Sequence, residues 1–308
     1  MTAVRRSLHP ALQAVILVSI IGGIVIAAAP MGSSSTRVDQ VEAAFPLNPG
    51  ETLTVLSRNG TITVETWDGN EVVIRAAKRI WALLPGLSNY VAERIQIDMA
   101  RDEGGVRAEF GTRSPFDWLF ANAAVDFHVR VPNRWSGRAE LVTSNGNIAS
   151  SGSRGDFRLH TSNGTITVES HQGALSVRTS NGRIRINGVE GAVNAETSNG
   201  EVRIEGARLS GAGTVQTSNG PIRLDGRILA GADYSVRTSN GSVTLVISQP
   251  DVSLDLSASN GSINVHAEVT ASRVDRGRLV GRIGSGAARL VANTSNGSIE
   301  LHTGEVGR

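Results

Sequence analysis

"TSNG" at Thr143–Gly146 is a tetrapeptide that is repeated many times along the chain. From Asn145 to Asn199 its asparagines lie 18 residues apart, and the next three intervals are 20, 21 and 20 residues. The last interval, from Asn260 to Asn296, is 36 residues, and "GRIGSGAARL" lies in its middle, where a diverged copy is expected. A fixed period of this size indicates a repeat architecture. Further copies start at Thr161, Thr179, Thr197, Thr217 and Thr294, with "RTSNG" around Asn240, "SASNG" around Asn260 and an outlying "SRNG" at Ser57–Gly60.

Apolar and polar residues alternate on both sides of each tetrapeptide. Ile184 and Ile186 alternate with arginines in "RIRI", and Leu175 and Val177 alternate with polar residues in "LSVR". Period two indicates strands with one buried face. Each unit therefore holds two short strands, with Asn-Gly at one end and a looser glycine-containing bend at the other.

Two architectures satisfy this pattern. A meander of hairpins would use Asn-Gly as a tight turn, whereas a β-solenoid would use it as a corner and stack equivalent residues about 4.8 Å apart. We predict the solenoid: an all-β fold (a β-helix) with coils of 18–21 residues, in which the extra residues fall at the second bend.

The repeated Asn-Gly pairs are predicted to be structural corners. Asn tolerates positive φ and Gly accepts it without steric cost, so backbone geometry explains the pair. On this view Asn181→Asp is tolerated and Gly182→Val is not, while the preceding threonine caps turn amides. The predicted corners are Asn145, Gly146, Asn163, Gly164, Asn181, Gly182, Asn199, Gly200, Asn219, Gly220, Asn240, Gly241, Asn260, Gly261, Asn296 and Gly297.

The N-terminus carries a long apolar run, from Ala11 to Ala29, behind Arg5 and Arg6. Its length as a helix is about 28 Å, close to the thickness of the bilayer hydrocarbon. The arginines place the N-terminus in the cytoplasm, so we predict an uncleaved single-pass anchor. A cleaved signal peptide is the alternative, because "AAA" before Pro30 resembles a cleavage site.

The predicted organisation follows from these features. Residues 1–10 form a cytoplasmic N-terminus, residues 11–29 the transmembrane helix, and residues 30–44 a small, polar, flexible linker. Residues 45–135 form an N-terminal β region, and residues 136–308 form the regular repeat.

Three stretches carry a family resemblance: "NGTITVETWDGNEVVIRAAKR", "FHVRVP" and the serial "TSNGxIxV" coils. Together they resemble the bacterial putative-adhesin family, which is related to the auto-transporter adhesin head domain, over roughly Phe45 to the C-terminus. The resemblance implies a β-helical fold and an extracytoplasmic location, and it supplies no catalytic residue.

The usual residues of catalytic and metal sites follow no pattern here. The chain has no cysteine, the repeat supplies no Asp per turn for calcium, and the histidines share no metal-ligand spacing. We expect each histidine, His171 among them, to be polar and solvent-facing. No catalytic, cofactor or metal residue is predicted, and the net charge of +2 is too small for nucleic acid.

Arg185, Arg203 and Arg223 occupy one outward position on three successive units, with Glu205 and Asp225 two residues beyond. They form either a solvated ion-pair ladder or a surface for an anionic ligand, since guanidinium groups make bidentate hydrogen bonds to carboxylates and phosphates.

The sequence thus favours a non-enzymatic, membrane-anchored protein of the cell envelope with an extracytoplasmic C-terminal domain, acting as a binding or structural surface. Its expected partners are the membrane and an envelope glycan or another envelope protein. The alternatives are a polysaccharide-acting β-helix enzyme and an accessory of envelope-stress signalling.

Overall fold

The computed structural model describes residues 35–82, 95–112 and 122–304, and every regular element in these ranges is a strand. The first strands are β1 (Ser35–Pro46), β2 (Thr52–Leu56), β3 (Ile62–Trp67), β4 (Glu71–Ala82), β5 (Ile95–Asp102), β6 (Gly105–Thr112), β7 (Asn122–Pro132), β8 (Gly137–Val142), β9 (Ile148–Ser151), β10 (Gly155–His160), β11 (Ile166–Gln172) and β12 (Leu175–Arg178). The others are β13 (Ile184–Gly191), β14 (Val193–Thr197), β15 (Val202–Leu209), β16 (Ala212–Thr217), β17 (Ile222–Ile228), β18 (Asp233–Asn240), β19 (Val243–Ile247), β20 (Val252–Asn260), β21 (Ile263–His266), β22 (Thr270–Asp275), β23 (Arg278–Ile283), β24 (Ala288–Asn296) and β25 (Ile299–Thr303).

The strands form two sheets. Sheet 1 has 12 strands in the order β1-β4-β7-β3-β9-β11-β13-β15-β17-β19-β25-β21, and sheet 2 has 13 in the order β22-β23-β20-β24-β18-β16-β14-β12-β10-β8-β2-β6-β5. Each regular coil runs along a sheet 1 strand, through the second bend, back along a sheet 2 strand, and through a TSNG corner to the next coil. Equivalent strands of successive coils pair in parallel, as β11 with β13 and β12 with β14. The predicted stack of coils is therefore confirmed, because a meander of hairpins would pair its strands antiparallel.

The core lies between the two sheets and is one continuous cluster of buried side chains. Ile184 and Ile186 face inward from sheet 1, and Leu175 and Val177 face inward from sheet 2, each at most 1% exposed. Burying such a side chain contributes about 1.5–3 kcal/mol. Because every coil supplies its own apolar residues to this interior, the alternation seen in the sequence is sufficient to build the core.

The longer units expand where the sequence predicts, at the second bend. Residues that are bonded to each other on adjacent coils are 18 positions apart in the chain for Asn181 and Asn199. The same separation is 20 positions for Asn194 and Thr214, on the next pair of coils. Gly191 still pairs with Leu209 before the bend, so the two extra residues lie between Leu209 and Thr214. The buried Tyr234 closes this wider bend, since its hydroxyl accepts from the Val193 amide and donates to the Ser210 carbonyl.

The C-terminal coils depart from the predicted order. Asn296 does not follow Asn260 in the stack, because β24 lies between β18 and β20, and β25 lies between β19 and β21. The chain leaves the solenoid after β21, forms the antiparallel hairpin β22–β23 at the edge of sheet 2, and returns to insert its last coil. The "GRIGSGAARL" stretch is thus the end of β23, a loop and the start of β24, and it does not form a diverged coil of its own.

The N-terminal end differs from the regular repeat as well. β1 pairs antiparallel with β4, and β4 pairs antiparallel with β7. Residues 35–44, predicted to belong to a flexible linker, therefore lie in strand β1, whose backbone groups pair along its whole length with β4. A small, polar composition did not prevent a strand here because pairing with the partner strand satisfies the backbone.

The predicted cytoplasmic segment, transmembrane helix and first linker residues, 1–34, lie outside the described residues. In the described ranges no helix is long and apolar enough to cross a membrane.

Candidate functional site

The corner asparagines form a continuous column of side-chain hydrogen bonds. Asn181 Nδ2 donates to Asn163 Oδ1 at 2.9 Å, and Asn199 Nδ2 donates to Asn181 Oδ1 at 2.8 Å. Each amide therefore serves as donor to one coil and acceptor from the next, as in the asparagine ladders of stacked β-structures. In spatial order the column contains Asn59, Asn145, Asn163, Asn181, Asn199, Asn219, Asn240, Asn296 and Asn260.

The corner glycines are required for a reason other than the predicted positive φ. Among the described residues only Ser170 and Gln249 are non-glycine residues with positive φ, and no glycine of an Asn-Gly corner is among the positive-φ glycines. A Cβ on Gly182 would lie 1.8 Å from the Gly164 carbonyl oxygen. The backbones of neighbouring corners approach so closely that no side chain fits, so close approach makes these positions glycine.

The corner threonines bond to carbonyls rather than to the predicted turn amides. Thr179 Oγ1 donates to the Gly164 carbonyl at 3.1 Å, and Thr197 Oγ1 donates to the Gly182 carbonyl at 3.0 Å. Both threonines are buried, so the hydroxyl satisfies a carbonyl that would otherwise cost free energy in the interior. The threonine, asparagine and glycine of the TSNG motif are thereby accounted for by the geometry of one corner, whereas the serine side chain is not buried.

The three arginines do form one column on the outer face of sheet 1, since Arg185 pairs in register with Arg203, and Arg203 with Arg223. Arg203 lies 3.1 Å from Glu201 and 3.4 Å from Glu205. Arg223 lies 3.5 Å from Glu205 and 3.3 Å from Asp225. These acidic neighbours neutralise two of the three guanidinium groups, which is the arrangement of a solvated ion-pair ladder.

A polar groove runs across the outer face of sheet 2, with a volume of about 450 Å³. One edge is the column of corner serines, which includes Ser198, Ser218 and Ser239, all exposed. The other edge is the neighbouring column, in which Gln216 pairs in register with Arg237. A signal for this groove is present in the sequence, because Gln216 and Arg237 each lie three residues before a corner asparagine and therefore share a column.

A buried hydrogen-bonded chain lies at the second bend of the early coils. Ser150 Oγ donates to Ser153 Oγ at 3.1 Å, Ser153 Oγ lies 2.8 Å from His171 Nδ1, and His171 Nε2 lies 3.3 Å from the Ala174 carbonyl. His171 is fully buried, so the expectation that it faces solvent is wrong. The interval of 18 residues between Ser153 and His171 is one coil, a signal present in the sequence. The serine–histidine pair lies in the core, where it replaces apolar packing, and no substrate can reach it.

His171 makes the stability of the fold depend on pH. Burial lowers the pKa of its imidazole below the ordinary value of 6.5, although the Ala174 carbonyl opposes this. The unfolded chain therefore takes up a proton at a higher pH than the folded chain does. We expect the free energy of unfolding to fall as the pH drops below about 6.5 towards the lowered pKa.

Urea denaturation of the full-length protein between pH 7 and pH 5 measures this effect. His171→Val, which introduces the residue found at the paired position Val189, is expected to flatten the pH dependence. Val189→Ala, which removes no titratable group at the paired position, is the control and is expected to leave the pH dependence unchanged. Equal pH dependence in the wild type and His171→Val would contradict the assignment.

Within the described ranges, no group of three or more His, Asp or Glu residues is arranged to hold a metal ion. His266 and His302 stack with ring centroids 4.6 Å apart on adjacent strands of sheet 1, which places their nitrogens side by side rather than converging on one point.

Two sheets of mostly parallel strands, closed by a column of Asn-Gly corners, define the class: a β-solenoid repeat protein. The chain belongs to the Toastrack DUF4097 family, whose model matches residues 29–228 and 209–302. This confirms the resemblance to the putative-adhesin family, while its relation to the auto-transporter head domain stays a prediction.

Solved structures with low sequence identity are similar to this chain. A putative adhesin from Bacteroides fragilis is 10% identical, with 85% of this chain and 96% of that chain covered and a TM-score of 0.41. A putative adhesin from Parabacteroides distasonis is 11% identical, with 85% of this chain and 96% of that chain covered and a TM-score of 0.40. A protein from the same species, described as a putative lipid binding protein, is 10% identical, with 86% of this chain and 97% of that chain covered and a TM-score of 0.35. The comparison with curated proteins gave no match.

Proposed function

We propose that the protein is a non-enzymatic component of the cell envelope, anchored by one transmembrane helix, whose extracytoplasmic solenoid acts as a binding surface. The apolar run behind Arg5 and Arg6 supports the anchor and its orientation. The membrane is then one partner, and an envelope glycan or another envelope protein is the second.

The observation that carries the proposal is the polar groove on sheet 2. Its serine column repeats once per coil, so hydroxyl groups recur at the strand spacing of about 4.8 Å. The neighbouring column adds donors and acceptors from Gln216, Arg237 and Asn293. An extended polar chain lying along the solenoid axis would meet a serine hydroxyl at each coil that lines the groove, and the groove does not include the coil of Ser180.

The corner column supports this role by holding the surface rigid. Each asparagine, threonine and glycine of a corner is fixed by the coil before it, so the serines between them are held in register. A surface whose groups are already ordered loses less conformational entropy when a ligand binds.

The arginine column is a weaker candidate for binding. Arg203 and Arg223 already have acidic partners, so Arg185, which is exposed, is the residue of the three best able to meet an anionic ligand. An anionic surface at Arg185, Arg203 and Arg223 thus stays a proposal, secondary to the groove.

The absence of cysteine from the chain allows a direct test. Ser239→Cys places a single thiol in the groove, and Ser180→Cys places one at the same corner position on a coil outside it. A membrane-impermeant maleimide should label both full-length variants in spheroplasts without lysis. Labelling only after lysis would contradict the extracytoplasmic location.

The same pair of variants tests the groove. A thiol-linked photo-crosslinker at Cys-substituted Ser239 is expected to capture envelope material in cells, whereas the crosslinker at position Ser180 is expected to capture little. Equal capture at the two positions, or none at either, would contradict binding in the groove.

A further inference from the structure

The hairpin β22–β23 and the two strands beside it form a trough on the outer face of sheet 2, with a volume of about 520 Å³. The volume lies within the range of about 300–1,000 Å³ that is typical of small-molecule sites. The trough crosses β24, β20, β23 and β22, and its lining includes Ser253, Thr270, Val280, Arg282 and Arg289. No residue of a TSNG corner lines it, and it shares no lining residue with the groove.

Two arginines flank the floor of the trough in one row across the strands. Ser253 on β20 pairs in register with Arg289 on β24 at one side and with Arg282 on β23 at the other. Thr270 on β22 extends the row, because it pairs with Arg282. Adjacent strands lie about 4.8 Å apart, so the two arginine Cα atoms are about 10 Å apart across Ser253. Both arginines are exposed and line the trough, so their long side chains can reach one small ligand above Ser253.

The acidic residues around this row leave Arg282 without an ionic partner. Arg278 holds the Asp255 carboxylate by two hydrogen bonds, at 2.9 and 3.1 Å. Asp233 contacts a single nitrogen of Arg289, at 3.3 Å. Within the described ranges, no carboxylate forms a salt bridge with Arg282. The trough therefore carries one unbalanced positive charge, and the other nitrogens of Arg289 add further hydrogen-bond donors.

The donors along the row suit a phosphate group. Guanidinium groups make bidentate hydrogen bonds to carboxylates and phosphates, and the exposed Thr270 adds a hydroxyl donor. One guanidinium occupies both oxygens of a carboxylate, whereas a phosphate keeps further oxygens for a second guanidinium and a hydroxyl. The Ser253 hydroxyl already donates to the Gly286 carbonyl at 3.2 Å, so it forms the floor of the site. A cation would be repelled by Arg282, and a neutral group would gain nothing from its charge.

We propose that the trough binds a phosphate group, held between Arg282 and Arg289 and hydrogen-bonded by Thr270. The inference deepens the proposed function, because it identifies the envelope-glycan partner as one that carries phosphate. It rests on the proposed function only for the source of the phosphate, since binding by the purified protein does not depend on location.

The position of the trough favours a glycan over a lipid headgroup as that source. β25, which forms one coil with β24, lies ten strand positions from β1 in sheet 1. At about 4.8 Å per strand, the trough is about 50 Å along the stack from the strand that follows the proposed anchor. Arg289 lies on the same face of β24 as Asn293 of the groove, four residues before it, which is about 13 Å along the strand. One glycan chain can therefore occupy the groove and the trough together.

A titration of the full-length protein in micelles of a neutral detergent tests the proposal. Glucose 1-phosphate and inorganic phosphate are the probes, followed by the broadening of their ³¹P signals, and unphosphorylated glucose, followed by its ¹H signals, is the comparison. Both phosphates are expected to bind at millimolar concentration, and glucose is expected to bind about tenfold more weakly or less. The absence of broadening for both phosphates would overturn the proposal.

Substitutions of exposed arginines locate the site. Arg282→Ala is expected to weaken binding of glucose 1-phosphate about tenfold, equivalent to about 1.4 kcal/mol. Arg282→Lys keeps the charge but not the bidentate geometry, so it should restore binding only in part. Arg158→Ala is the matched control, because it removes an exposed arginine from β10 on the same face of sheet 2, and it should leave binding unchanged. Equal weakening by Arg282→Ala and Arg158→Ala would overturn the proposal, since binding would then follow net charge alone.

Phosphatidylglycerol added to the micelles tests the source of the phosphate. We expect it to leave the binding of glucose 1-phosphate unchanged. Displacement of glucose 1-phosphate by this lipid would assign the site to a lipid headgroup and overturn the glycan as the source. None of these titrations depends on the labelling or crosslinking at position Ser239, so the site and the proposed function can fail independently.

Discussion

Gly182→Ala is expected to lower the free energy of unfolding by about 3 kcal/mol or more, because the new methyl group has no space. The added Cβ would lie 1.8 Å from the carbonyl oxygen of Gly164 and 2.6 Å from its carbonyl carbon. These are backbone atoms of a corner that is itself bonded to the corner before it, so they cannot rotate away as a side chain could. The clash can be removed only if the two coils separate, and the Asn181–Asn163 and Thr179–Gly164 hydrogen bonds are then lost.

Urea denaturation of the full-length protein measures this loss. Gly111→Ala is the matched control, since its nearest neighbouring atom would be 3.9 Å from the new Cβ and its φ is not positive. Alanine in a strand should there be neutral or slightly stabilising. A Gly182→Ala protein as stable as Gly111→Ala would show that the corners do not approach as described.

Gly182→Asn distinguishes close approach from the positive φ that the sequence suggested. Asparagine is one of the few residues that accept positive φ, so a conformational requirement would make Gly182→Asn much milder than Gly182→Ala. Close approach excludes both side chains, and we expect Asn to be at least as damaging as Ala.

Asn181→Asp is expected to destabilise the protein by about 1–2 kcal/mol at pH 7, although backbone geometry alone would predict tolerance. Asn181 donates to Asn163 Oδ1 and accepts from Asn199 Nδ2. A carboxylate keeps the second bond, but it replaces the first by two oxygens that face each other at hydrogen-bond distance. The column is thereby broken between two coils.

Lowering the pH should partly repair this variant. Once the new carboxyl group is protonated, below about pH 4, it can donate to Asn163 Oδ1 again. The stability difference between Asn181→Asp and the wild type should therefore shrink from pH 7 to pH 3. The effect of His171 on the pH dependence of stability is present in both proteins, so it cancels in this difference. Ser180→Ala, at the exposed neighbour within the same corner, is expected to be neutral at both pH values. A nonzero difference that is unchanged by pH would contradict the assignment of the lost stability to the hydrogen bond between Asn181 and Asn163.

The regular part of the fold was predictable because its information is local and repeated. The alternation of Ile184 and Ile186, and of Leu175 and Val177, identifies the inward positions of every coil without knowledge of its neighbours. The spacing of Asn163, Asn181 and Asn199 then sets the register between coils. The arginine column followed from the same spacing, since outward positions repeat with the same period as inward ones.

The trough at the hairpin β22–β23 was less predictable because it depends on contacts between residues far apart in sequence. It unites Ser253, Arg282 and Arg289, which share no motif or period. The groove on sheet 2 was predictable in part, since Gln216 and Arg237 each lie three residues before a corner asparagine.

By itself, the sequence determined that this protein is built from repeated two-stranded units with Asn-Gly at one end, because short-range alternation identifies the strands and the recurring motif identifies their turn. The tertiary structure decided that equivalent strands pair in parallel, since a meander of hairpins satisfies the same pattern. The tertiary structure alone decided why those residues are needed, since Gly182 meets the Gly164 carbonyl and Asn181 meets Asn163 only when the coils are stacked. It also decided the place of the last coil, which inserts between β18–β19 and β20–β21 rather than following β21. Equivalent corners look alike in sequence, so the motif and its spacing do not specify the order in which the last coils stack.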